Sequence, residues 1–149
     1  MSFKFNPKEA EGRKYISQPG VYDVVVQSWE EKYMPPVNDF YVKFTLEAAN
    51  GEVTNADIFV KQEKNGSYSR LNQFIAATAT QAEIEKYLAK GEFEVDEEFV
   101  RTVAQRAVGR ALKVEVTARE YTKKNGEKGV AHNGSFFRRL KDGPEKNPF

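Results

Sequence analysis

The stretch from Asn38 to Glu47, "NDFYVKFTLE", places Phe40, Val42, Phe44 and Leu46 at alternate positions, with Tyr41, Lys43, Thr45 and Glu47 between them. Apolar residues with a period of two mark a strand with one buried face, so the first set is the core face. The other face then carries an aromatic ring beside a lysine. Tyr41 and Lys43 need a reason to be there that the core does not provide.

Strands are expected on both sides. Upstream, "VYDVVVQSW" (Val21 to Trp29) alternates with Tyr22, Val24 and Val26 inward and Asp23, Gln27 and Trp29 outward. The intervening "EEKYMPPVND" contains Pro35 and Pro36, which withhold two backbone donors and predict a loop. Downstream, Asn50-Gly51 is a strong hairpin signal. It leads into "VTNADIFVK", with Ala56, Ile58 and Val60 inward and Asn55, Asp57, Phe59 and Lys61 outward.

The spacing then becomes helical. Leu71, Phe74, Ile75 and Thr78 share one stripe, and Thr80 with Glu83 forms a capping-box pattern for a second helix that ends at Gly91. A third helix is predicted from Asp96 to about Val108, with acids at its positive end and Gly109 as its stop. Period two returns in "RALKVEVTAREY", where Leu112, Val114, Val116 and Ala118 face inward and Arg119 and Tyr121 outward. "TKKNGEKG" is a basic Asn-Gly turn, and "VAHNGSFFRRL" is the partner strand, irregular at His132 to Gly134. Residues 1–141 thus read as one domain, of which 1–20 form an N-terminal arm, and 142–149 as a flexible C-terminal tail.

The chain of 149 residues is 40% hydrophobic and 30% charged, a composition that suits one globular domain. It has no cysteine and one histidine, which excludes disulfides, thiolate zinc sites and paired-histidine metal ligation. No phosphate-binding glycine loop is present. The expectation is a non-enzymatic protein without cofactor or metal. With no apolar leader and no long apolar run, it is expected in the cytoplasm, the host's if the chain is phage-encoded, and off the membrane. Net charge is only +1, but Arg101 to Lys141 hold eleven Lys and Arg against three Glu, while Glu83 to Glu98 hold seven acids against two lysines. That asymmetry suits a surface steering a polyanion.

A three-strand meander, a helical segment and a hairpin are the element order of an OB-fold, a mainly β, five-stranded barrel with an α insertion. On its outer face the alternation places Trp29, Tyr41 and Phe59 with Lys43 and Lys61, and the last hairpin adds Arg119, Tyr121, Lys123 and Lys124. Flat rings on which unpaired bases stack, interleaved with cations for phosphates, are what single-stranded nucleic acid requires.

"MSFKFNPKEAEG", "PGVYDVVVQSWEEK", "RLNQFIAATA" and "VGRALKVEVTAREYTKKNGEK" together resemble small bacteriophage proteins regarded as single-stranded DNA-binding or recombination-associated. The resemblance spans most of the chain. It implies an OB-fold protein that coats single-stranded DNA in phage replication, recombination or repair. The closing Pro148-Phe149 also resembles the tails by which bacterial single-stranded DNA-binding proteins dock replication and recombination enzymes, although here Lys141 and Lys146 offset Asp142 and Glu145. An exposed barrel edge leaves room for a homodimer. The alternative function is a protein-interaction module that regulates a phage recombinase or nuclease.

Overall fold

The computed structural model describes residues 14–35, 39–59, 69–93 and 95–149. Among these residues five strands and three helices follow in the expected order: β1 (Gly20–Met34), β2 (Asp39–Ala48), β3 (Val53–Phe59), α1 (Ser69–Thr78), α2 (Gln81–Lys90), α3 (Glu97–Ala107), β4 (Ala111–Thr122) and β5 (Lys128–Arg138). The protein is mainly β, with its strands in one antiparallel sheet of order β3-β2-β1-β4-β5.

Both hairpins are set by their Asn-Gly pairs. Asn50 accepts the Glu52 N–H on its side-chain oxygen at 3.0 Å, and Asn125 does the same for Glu127 at 3.0 Å. Gly51 and Gly126 take positive φ values of 86° and 87°, which the chain reversals need and a side chain would disfavour.

The sheet is open, whereas a closed barrel was expected. No ladder joins β3 to β5 among the described residues, although these edges approach each other. A Cβ on Gly134 would stand 3.0 Å from Val114 Cγ2 and 3.4 Å from Thr54 Cγ2, so a side chain there would press these neighbours back by a few tenths of an ångström. Arg70 donates to the Gly134 carbonyl at 3.4 Å, occupying an acceptor that a ladder would use. Thr54 Oγ1 is buried beside this seam without a hydrogen-bond partner among the described residues.

On the concave side, Phe44 stacks on Phe74 of α1 at 4.3 Å, and Phe74 meets Phe137 edge-on at 5.4 Å. Leu71, Phe74 and Ala77 of α1, with Val100, Val103, Ala104 and Ala107 of α3, bury their stripes against the inward residues of the strands. The α2 helix has the predicted capping box, Thr80 and Glu83 bonding each other's backbone N–H, and it buries no residue of its own. Asp96 caps α3 through the Phe99 N–H at 2.8 Å.

Two segments at the ends of the chain pack onto the sheet. Ile16 is 1% exposed and bonds the Val53 carbonyl at 2.8 Å, so the end of the N-terminal arm extends the β3 edge. Residues 1–13 of the arm lie outside the described residues. At the other end, Pro144 is buried and its carbonyl accepts the Ala111 N–H at 2.8 Å.

Two irregularities redirect side chains. The β1–β2 register steps from Val26↔Leu46 to Ser28↔Thr45, leaving Gln27 as an extra residue. The strand then continues to Met34, so residues 30–34, expected in a loop, pair with β2. Nothing in "EEKYM" breaks a strand before Pro35. In β5 the irregularity falls at Phe136, not at His132 to Gly134. Phe136 has φ 51° and a side chain 56% exposed.

Candidate nucleic-acid interface

Across the convex face of β1, β2 and β3, side chains stand in rows fixed by the register. One row is Lys32, Tyr41 and Phe59; the next is Glu30, Lys43 and Asp57; the third is Ser28, Thr45 and Asn55. Tyr41 and Phe59 are half-buried, and their rings stack at 4.6 Å with 23° between planes. Strand alternation gives each ring one neighbour across the ladder and leaves the pair on the side away from the core.

The bulge at Gln27 moves Trp29 off this face. With the extra residue the alternation of β1 inverts, so Trp29 stands opposite Phe44, half-buried against the core. Tyr33 shares the face of Phe40, which it meets edge-on at 5.6 Å, while remaining 52% exposed. Trp29, expected as a stacking platform, is therefore a packing residue. The same inversion brings Lys32 outward beside Tyr41, a position that a loop assignment for residues 30–34 concealed.

The convex face continues onto β4. Val25 pairs with Glu47 on one side of β1, and Asp23 pairs with Lys113 on the other, so Lys113, Glu115, Thr117, Arg119 and Tyr121 share the side of Tyr41. Beyond Val116 the β4–β5 hairpin runs past the start of β1, carrying Arg119 and Tyr121 on its strands and Lys123 and Lys124 in its turn. Tyr121 lies across Gly129. A Cβ there would be 2.6 Å from the tyrosine Cζ, so the glycine leaves the room that the ring occupies.

The basic stretch from Arg101 to Lys141 is divided. Arg101 bonds Glu31 at 2.6 Å, Arg106 and Arg110 both meet Glu83, Lys113 pairs with Asp23 at 3.4 Å, and Arg139 donates to the Ala79 carbonyl at 2.7 Å. Arg119, Lys123, Lys124 and Lys128 form no ion pair among the described residues. Of the sequence-derived site, then, the structure brings Tyr41, Phe59 and Lys43 together. It sets Arg119, Tyr121, Lys123 and Lys124 on the hairpin, with the two strand residues sharing the convex face. Lys61 lies outside the described residues. Pro148 and Phe149 border an open groove with Val21, Ala48, Asn50 and Lys113.

The middle row is electrically mixed. Lys43 has Glu30 on one flank and Asp57 on the other, and Glu30 bonds Lys32 at 3.5 Å. Asp57 is exposed, yet partial burial of its carboxyl raises its pKa, with the charges of Lys43, Arg70 and Lys32 pulling the other way. Asp57 and Lys32 were not singled out in the sequence, where one is an isolated acid and the other falls in an apparent loop.

No described helix is long and apolar enough to cross a membrane. No protein-family model and no curated protein sequence matches the chain.

Proposed function

We propose that this protein binds single-stranded DNA, largely without sequence preference, as a coating protein in phage replication or recombination. Bases stack on the Tyr41–Phe59 face, and phosphates follow Lys32, Arg119, Lys123 and Lys124. The observation that carries this reading is the stacked ring pair on the solvent side of the sheet, which shares that side with a hairpin on which Arg119, Lys123 and Lys124 form no ion pair among the described residues. Stacking accommodates every base because each has a π-face, while unpaired cations draw the backbone.

An OB-fold reading of the sheet supports the same function. The order β3-β2-β1-β4-β5 with the helices inserted between β3 and β4 is the order of that barrel, and pairing β3 with β5 across the Gly134 seam would close it. The phage assignment rests on the sequence resemblance.

A second reading, a protein-interaction module, draws on α2, which buries no residue and leaves Leu88 76% exposed. Fluorescence anisotropy with labelled single-stranded DNA, duplex DNA and RNA separates the two. Single-strand binding that weakens steeply with salt supports the proposal. Absence of oligonucleotide binding, with a salt-insensitive protein complex in its place, supports the module.

A further inference from the structure

The row beside the ring pair contradicts the simplest picture of the site. A phosphate lying over Glu30, Lys43 and Asp57 would meet two carboxylates and one ammonium, an unfavourable balance for an anion. Bases carry no such charge. Side chains on one face recur every second residue, about 7 Å along the strand, so a base stacked on Tyr41 and Phe59 projects its edge toward this row.

Lys43 and Asp57 are opposite each other in the β2–β3 register, yet no ion pair joins them. Among the described residues neither makes a side-chain hydrogen bond or an ion pair, which leaves both able to meet a ligand. An ionised carboxylate only accepts and an ammonium only donates. Guanine presents two adjacent donors, N1–H and the 2-amino group, with the O6 acceptor alongside, so one edge satisfies both side chains. Thymine presents a single N–H between two carbonyls and cannot offer a carboxylate two donors.

We propose that Lys43 and Asp57 act as a base-reading pair that favours guanine at the nucleotide stacked on Tyr41 and Phe59. This inference rests on the single-stranded DNA reading above, and it assigns Lys43 to a base edge and not to a phosphate. The raised Asp57 carboxyl agrees with it, since an acid made costly to ionise by burial gains most from incoming N–H donors.

The test uses oligothymidylate carrying one central deoxyguanosine, deoxyinosine or thymidine, bound to the full chain and to Asp57→Ala. Inosine lacks the 2-amino group and removes one donor only. Each step, guanine over inosine and inosine over thymine, is expected to tighten binding by several-fold, for about tenfold or more in all. Asp57→Ala should abolish that gradient while retaining affinity for oligothymidylate and an unchanged melting temperature. Equal affinity for the three oligonucleotides, with binding still lost in Tyr41→Ala, overturns the guanine pair and leaves the stacking face intact. No binding to any of them overturns both.

Discussion

The arginines packed around the helices and the cations of the β4–β5 hairpin come from one basic stretch of chain, and they end in opposite circumstances. Arg110 is 19% exposed and bonds Glu83, itself 14% exposed, while donating to the Thr78 carbonyl at 3.1 Å. Arg139 caps the end of α1 from outside through the Ala76 and Ala79 carbonyls. Arg119, Lys123 and Lys124 hold no acid among the described residues. A cluster of positive charge in a sequence becomes a field for a polyanion only where the fold has not already matched it. Stability should therefore depend on the first group and ionic binding on the second.

The largest effect expected is on stability. Arg110→Ala leaves the Glu83 carboxylate and the Thr78 carbonyl short of a donor, and it should cost about 3 kcal/mol by denaturant unfolding. The salt dependence of DNA binding should not change; a shallower slope would place Arg110 among the phosphate contacts and break the division. The same network sets an acid limit. Burial alone would raise the Glu83 carboxyl, but the hydrogen bonds from Arg110 and the Thr80 N–H, with the charges of Arg110 and Arg106, hold it below its ordinary value of 4.5. A folded-state pKa below the unfolded one contributes stability above pH 4.5 that is lost as pH falls through the folded value. Glu83→Gln should accordingly be less stable at neutral pH and lose less on acidification, as measured by melting temperature from pH 7 to pH 3.

A smaller effect, on binding, is expected at the ring pair. Tyr41→Ala should weaken single-stranded DNA binding by about 2 kcal/mol with the salt slope retained, measured by anisotropy at several salt concentrations. Trp29→Ala should do the reverse, destabilising the fold by about 2 kcal/mol through its lost packing while binding persists. If the two variants exchange these phenotypes, the inversion at Gln27 is wrong. The smallest effect is expected in the hairpin. Lys123→Gln and Lys124→Gln should each lower the salt slope by about 0.7 and weaken binding uniformly across sequences, with no change in melting temperature.

Most of the strands and helices were legible because their signals are local. The alternation of "NDFYVKFTLE", both Asn-Gly turns, the Thr80–Glu83 box and the apolar stripes of α1 and α3 each fall within one strand, one turn or one helix. What escaped depends on pairing. A bulge adds one residue without changing composition, so nothing within "VYDVVVQSWEEKYM" shows that the alternation inverts at Gln27. That single step turned Trp29 toward the core and brought Lys32 beside Tyr41. The commitments of Arg101, Arg106 and Arg110 were hidden for a similar reason. Apart from Glu97 and Glu98 beside Arg101, their acids lie 70, 23 and 27 positions away in the sequence, and only the packing of the helices on each other and on β1 brings them together.

The most direct test of the account is an oligonucleotide titration of the isotopically labelled chain followed by backbone amide resonances. The largest shifts are expected at Tyr41, Lys43, Asp57, Phe59 and the hairpin from Arg119 to Lys128, with Trp29 and α2 unmoved. Shifts confined to α2 and its acidic surroundings, with the convex face of β2 and β3 silent, would contradict it.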